Sequence, residues 1–339
     1  MRLSRMRLPC TLGPAVGVIA VLAMLAIATP ATAAGNDYKG WFAALDLATT
    51  QPYSLDQHFA NHVDTTVTPS PNERLVMDND SDFTYRASVG YSWGKSLGSL
   101  KVSYWSFDND DTMTDTLAGE VVPTIFGYGY NYGGMYILNP AGVDVTATSK
   151  VKASTADLDY VRPIVTGDKT TLNWLAGLRV ASYEEDQGFV GFNGTYYYYQ
   201  NKHFKSTGTG LRVGASADFG FTDHFSLVSS AVFSFLQADT KGDSSQEFGA
   251  SGLTETNHAE DDHVRGEMRD FDVKAVWSYG HLDYYLGYSM SSWSGLVTDP
   301  VPAVGGGFFG IGSAEPRSRD NISFNSLHGG VKWRFGKTK

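Results

Sequence analysis

The chain has 339 residues, and its 36 acidic against 26 basic side chains give a net charge of −10 that argues against a nucleic-acid binder. Aromatics reach 13% of the residues, with 19 Tyr and 19 Phe, but beyond the N-terminal region no run of about 18 apolar residues occurs, so a spanning helix is excluded there. Many Tyr and Gly without an apolar block suit an all-β protein, either a soluble sandwich or a membrane barrel.

The N-terminus reads as an export signal. Arg2, Arg5 and Arg7 precede an apolar run over 14–28, and Ala31-Thr32-Ala33 supplies small residues for cleavage. Residues 1–33 are therefore expected to be removed, leaving a single domain over 34–339. Cys10, the chain's one cysteine, lies before the apolar run and leaves with it. A thiol-free exported chain fits an oxidising compartment.

From residue 40 onward the chain alternates with period two, which marks strands with two unlike faces. Trp41, Ala43, Leu45 and Leu47 share one parity and Asp46 takes the other. A polar stretch over 50–82 follows. Phe83, Tyr85, Ala87, Val89, Tyr91 and Trp93 then alternate with Arg86 and small polar residues, up to a tight turn at 94–98. Leu100, Val102 and Tyr104 oppose Lys101, Ser103 and Trp105. A second long stretch, 108–150, begins acidic and becomes aromatic. Residues 151–165 set Asp157 and Asp159 against Ala156, Leu158 and Tyr160. After a turn at 166–169, Leu172, Trp174, Ala176, Leu178 and Val180 oppose Asn173, Gly177 and Arg179.

A polar excursion over 184–201 leads to a hairpin at 210–236. There Leu211, Val213, Ala215, Ala217 and Phe219 oppose Arg212, Ser216 and Asp218, and Phe225, Leu227, Ala231, Phe233 and Phe235 oppose serines. The stretch 239–266 reads as a polar loop. Phe271, Val273, Ala275 and Trp277 then alternate with Asp272 and Lys274. Past Gly280-His281, Leu282, Tyr284, Leu286, Tyr288 and Met290 alternate with Asp283 and Tyr285. A Pro- and Gly-rich loop over 294–320 precedes a last strand, 321–335. The parity there slips between Phe324 and Leu327, which suggests a β-bulge.

Ten strands result, with eight or twelve possible if the stretches 50–82 and 108–150 hide further pairs. Short turns follow every second strand and long loops follow the others. An Arg and an Asp in mid-strand on the polar parity, as at Arg212 and Asp218, do not suit a dry soluble core. Both features suit an antiparallel transmembrane β-barrel in a bacterial outer membrane, with short turns in the periplasm, long loops outside and polar residues facing the lumen.

Several of these segments resemble a known family. Residues 155–160 (Thr-Ala-Asp-Leu-Asp-Tyr), 174–183 (Trp-Leu-Ala-Gly-Leu-Arg-Val-Ala-Ser-Tyr), 211–215 and 283–289 are similar to strands of the Legionella-type major outer membrane protein family. The resemblance implies an outer-membrane barrel regarded as pore-forming and supplies no catalytic residue. The C-terminal pattern His328, Gly330, Trp333 and Phe335 resembles the signal read by the barrel-assembly machinery, although four residues follow the last aromatic.

The predicted lumen face carries Asp46, Arg86, Lys101, Asp157, Asp159, Arg179, Arg212, Asp218, Asp272, Lys274, Asp283, Lys332 and Arg334. As a pore lining, their near balance of signs implies weak ion selectivity. As a filling, the same charges must pair, because small barrels are nearly filled by side chains. The functional expectation is a narrow porin-like pore. The alternatives are a non-conducting structural or adhesive barrel acting through Tyr-rich outer segments such as 128–136 and 196–199, or an outer-membrane hydrolase. For the last, Asp108, Asp110, Asp111, His258 and His263 show no spacing that fixes a nucleophile, a base and an orienting group. His258, Glu260, Asp261, Asp262 and His263 contain metal-ligand types but read equally as an acidic surface, so neither a metal nor a cofactor is assigned. The expected partners are outer-membrane lipid, lipopolysaccharide and the assembly machinery.

Overall fold

The computed structural model describes residues 38–54, 58–63, 72–76, 81–94, 96–123, 137–167, 169–248, 253–297 and 321–338. The expected leader, the tract 128–136 and the loop 298–320 lie outside them. Among the described residues there are twelve strands: β1 (Tyr38–Ser54), β2 (His58–Val63), β3 (Asn72–Val76), β4 (Asp82–Trp93), β5 (Ser99–Pro123), β6 (Ile137–Thr166), β7 (Thr170–Phe192), β8 (Tyr197–Gly220), β9 (Phe225–Phe248), β10 (Leu253–Tyr279), β11 (Leu282–Ser294) and β12 (Asn321–Thr338). Ten of them close a ring in the order β5-β4-β1-β12-β11-β10-β9-β8-β7-β6, with β6 returning to β5. The pairings are antiparallel, and β1 closes on β12 over the full length of β1.

The apolar parity faces outward. Leu45, Val89, Val102, Leu178, Leu211, Val213, Phe235, Val273 and Leu327 are large, apolar and exposed, as a surface in lipid requires. Aromatics collect near the short-turn end: Trp41 lies 5.4 Å from Tyr91, Phe225 lies 5.2 Å from Trp277, and Trp333 stacks on Phe335 at 4.8 Å. Their amphipathic rings suit a membrane–water interface. The inward parity is buried, from Arg179 and Arg212 to Phe107 and Phe324.

The stretches expected as long loops are largely strand. β5 and β6 stay paired from Ser99↔Val161 up to Val121↔Ile137, β7 and β8 up to Phe192↔Tyr197, and β9 and β10 up to Phe248↔Leu253. The barrel wall therefore continues well past the lipid-facing belt. In this extension the faces exchange character: apolar side chains such as Val143, Val145, Ala147 and Phe189 are buried inside, and polar or charged ones such as Asp144, Thr148 and Lys152 face outward, so the outward apolar stripe that marks a membrane strand is missing there. The stretch 50–82 does hide a pair, β2 and β3, but it pairs onto the outer end of β5 and does not enter the ring.

The slip expected near Phe324 is also corrected. β12 runs without a register shift, and Ile322, Phe324, Ser326 and His328 all face inward. Phe324 is an inward aromatic in regular strand, which looks like a phase error only if every aromatic is taken to face lipid. A bulge does occur in β10, between Asp262 and Val264, where His263 adopts φ 97°. It changes the strand's phase. Val264, Met268 and other even residues below the bulge face the interior, while His258 and Glu260 above it are exposed.

Candidate functional site: the barrel interior

Period two aims alternate side chains of each strand into the ring, and the inward set forms levels along the barrel axis. Nearest the short turns is a polar mouth. Arg334 donates to Asp283 at 2.7 Å, and Ser278 Oγ also donates to Asp283 at 2.7 Å. The Lys332 ammonium lies 4.8 Å from the Phe42 ring centroid. Asp218 is half-buried and hydrogen-bonded by Ser226. Asn173 donates to Ser216 at 3.3 Å.

The next level remains partly open. Asp272 binds His328 Nε2 at 2.9 Å and Lys274 at 3.6 Å. Lys274 stands 5.0 Å over the Tyr285 ring, and Tyr285 is hydrogen-bonded with Asp46. Arg86 is the cross-strand partner of Asp46. Lys101 reaches Asp159 at 3.5 Å with its side chain 35% exposed, and Lys274 is 30% exposed. Gly330 permits this packing, because a Cβ there would meet the Tyr285 ring at 2.7 Å.

Above this shaft, charges join strands across the lumen. Arg179 on β7 makes a bidentate pair with Asp157 on β6 at 2.6 and 2.9 Å. Its other nitrogen reaches Asp270 on β10 at 2.6 Å. Arg212 on β8 pairs with Asp157, with Asp159 at 3.3 Å and with Asp270 at 3.7 Å. Arg179, Arg212, Asp157 and Asp159 are all below 9% exposed, so each charge depends on its partner.

A hydrogen-bonded relay ties this cluster to an apolar layer above it. Ser291 Oγ donates to Asp270 at 2.6 Å, and Trp293 Nε1 donates to Ser291 at 2.8 Å. Trp293 meets Trp105 at 6.1 Å and Phe324 at 5.3 Å, and Phe107 meets Phe324 at 5.2 Å, all edge to face. Phe204, Leu236, Val264, Met268 and Ile322 complete the buried layer from five further wall positions. Residues 295–297 turn back into it. Gly295 takes φ 79°, and Leu296 and Val297 are buried. Leu296 fits because Gly208 and Gly266 lack side chains there; a Cβ on either would meet it at 2.9 or 2.8 Å. The lumen is thus filled at this level by strand side chains plus one inturned strap.

Sequence reasoning missed Asp270, although its parity is that of Asp272 and Lys274. It also missed the aromatic layer, although the alternation had already put Trp105 on the inward face. His328, which fits the C-terminal pattern, is an inward ligand of Asp272, while Trp333 and Phe335 are exposed at the short-turn rim. His258 and Glu260, weighed as metal ligands in a loop, lie instead on β10 against β9. Asp243 holds His258 at 2.6 Å and raises its pKa through that hydrogen bond; Lys241 binds Glu260 at 2.9 Å and lowers its pKa.

A closed antiparallel ring with an apolar exterior, aromatics at the short-turn rim and a charged interior defines an outer-membrane β-barrel. A family model described as Legionella pneumophila major outer membrane protein precursor matches residues 34–335, nearly the whole chain. The chain belongs to this family, and its place is the bacterial outer membrane. No curated protein matches it. Among solved structures it is similar to the outer membrane protease OmpT from Escherichia coli, at 11% identity and a TM-score of 0.49, covering 89% of this chain and 99% of that one. It is also similar to the toluene transporter TodX of P. putida, at 10% identity and a TM-score of 0.33, covering 88% and 91%. A FadL homologue of Pseudomonas aeruginosa follows at 8% identity and a TM-score of 0.23, covering 88% and 91%. Likenesses this distant carry no activity over to the chain.

Proposed function

We propose that this barrel is a constricted, pore-type channel for small ions or polar solutes that rests in a closed state. The observation that carries the reading is the shaft below the plug. Lys101 and Lys274 point inward yet leave about a third of their side-chain surface uncovered by neighbours, and Asp272, Asp46 and Arg86 lie on the same inward face. Charged groups facing a wet lumen set which ions enter. With Asp270 added, the charges predicted for the lumen are seven basic and seven acidic, so selectivity between cations and anions is weak. The strap supports closure by displacement. Leu296 and Val297 belong to a connection, so they can leave the lumen without breaking a wall strand.

A second reading, a non-conducting barrel that acts through its outer extension, is favoured by the charge cluster. Its ion pairs tie β6, β7, β8 and β10 together across the lumen, and breaking them is costly. Planar-bilayer recording separates the two. Wild-type protein should show rare, small openings. Leu296→Gly combined with Val297→Gly and Trp293→Ala should raise the open fraction. If both proteins are folded and silent, the channel reading fails and the second stands.

A further inference from the structure

The lumen charges balance as a count, but below the plug the two signs are not equally engaged. Asp272 is held by His328 Nε2 at 2.9 Å, and Asp283 accepts from Arg334 and from Ser278 at 2.7 Å each. Asp46 and Asp218 are hydrogen-bonded with Tyr285 and Ser226. Asp159 is wholly buried and meets Arg212 at 3.3 Å. The carboxylates are therefore taken up by neighbours in the wall.

The lysines are not. Lys101 Nζ lies 3.5 Å from Asp159, and Lys274 Nζ lies 3.6 Å from Asp272. Both contacts are longer than an N–H···O hydrogen bond, about 2.7–3.2 Å. Lys332 forms no ion pair among the described residues, and its ammonium rests 4.8 Å from the Phe42 ring centroid. An ammonium carries three donors, so the hydrogen-bonding capacity that the protein leaves over at this height is cationic.

The topology turns these three groups toward one another. In the ring of ten strands, Lys101 on β5 and Lys274 on β10 are five strands apart, on opposite walls, and Lys332 on β12 stands between them. All three are inward and lie within electrostatic reach of one another. The stem of Lys274 lies over Gly287, where a Cβ would meet it at 2.6 Å, and its ammonium stands over Tyr285. Arg86 is inward on β4, next to the strand of Lys101.

Like charges that face one another repel, and the wall gives none of the three a close carboxylate. An anion with several acceptor oxygens relieves both conditions, because hydrogen bonds from ammonium to phosphate or carboxylate oxygens are short and strong. A carboxylate presents its oxygens on one side only. A tetrahedral oxyanion presents them in all directions, and so meets donors that arrive from three parts of the wall. A cation finds no carboxylate there without a wall partner.

We propose that Lys101, Lys274 and Lys332 form a binding site for a small tetrahedral oxyanion, of the class of inorganic phosphate, inside the barrel below the plug. The site gives the proposed channel a solute class, and it rests on that reading for the solute's route but not for binding. An even count over the whole lumen is compatible with it. The surplus acid lies in the plug, where Asp157, Asp159 and Asp270 share Arg179 and Arg212.

The test uses the full folded chain in detergent at low ionic strength, with inorganic phosphate as the probe in titration calorimetry. Phosphate should bind the wild type, and Lys101→Gln plus Lys274→Gln should weaken binding at least tenfold. Each acid left behind keeps another partner, Arg212 for Asp159 and His328 for Asp272. Lys332→Gln breaks no ion pair and should weaken binding several-fold. Retained heat-modifiable gel mobility shows that each barrel has formed. Lys205→Gln, on the outer surface, should leave the affinity unchanged. A folded wild type that binds no phosphate would overturn the proposal. So would an affinity unchanged in both the double variant and Lys332→Gln, or chloride that competes on equal terms with phosphate. Phosphate binding by protein that is silent in planar bilayers would support the site and count against the channel only.

Discussion

Arg179 shows how one side chain's worth depends on where it sits. It neutralises Asp157 and Asp270 in an interior from which water is largely excluded. Arg179→Ala leaves both carboxylates short of a partner and should lower stability by about 3–5 kcal/mol in urea unfolding titrations. Lys205→Ala removes a cation from an exposed pair with Glu184 and should cost below about 1 kcal/mol in the same assay. Similar losses for both would mean that the interior cluster is hydrated. Reversing Arg179 and Arg212 to Glu together sets them against Asp157, Asp159 and Asp270, and is expected to prevent folding, not to retune selectivity. His258 behaves differently, since it is fully exposed. Asp243 favours its charged form, so its contribution is complete below the ordinary value of 6.5 and is lost as pH rises through the raised value. An NMR titration of His258 should have its midpoint above 6.5 and move back toward it in Asp243→Asn. A midpoint unmoved by that substitution would contradict the pairing.

At the scale of the strand, two rules divide the wall. In the belt, the outward face meets lipid, so Leu178→Arg should cost about 2–4 kcal/mol near the midplane. Ser182→Arg on the same face of β7, one hydroxyl row above the belt, should cost little. Equal penalties in refolding titrations would misplace the belt's edge. This division also explains what was legible in the sequence. Leu178 and Val180 against Arg179 is a period-two signal because lipid and lumen differ sharply. Above Val180 both faces of β7 are polar or mixed, as in Tyr183-Glu184-Glu185-Asp186, and period two has nothing to report. The ring of ten strands was therefore readable, whereas their outer halves looked like loops. The interior was half readable. Parity places Arg179, Arg212 and Asp157 on one face, but which acid meets Arg179 depends on a contact from β7 to β10 that no local pattern encodes. The inturned strap was unreadable for the same reason: Leu296 is held by Gly208 and Gly266, far from it in sequence.

At the scale of the molecule, a polar interior level lies toward the short turns, below a plug of paired charges and edge-to-face aromatics. Beyond the plug, the wall rises past the membrane with exposed ion pairs outside. On the proposed reading the shaft and the plug make a closed channel, and access to the lumen from each side tests that directly. Ser216 lies in the shaft, half-buried beside Asn173, and Cys10 is the chain's only native cysteine, within the expected leader. Ser216→Cys in oriented proteoliposomes should react with a small membrane-impermeant thiol reagent added on the short-turn side. It should stay unreacted when the reagent is added only on the extension side. Rapid labelling from the extension side would show that the lumen is open through the plug and would contradict closure.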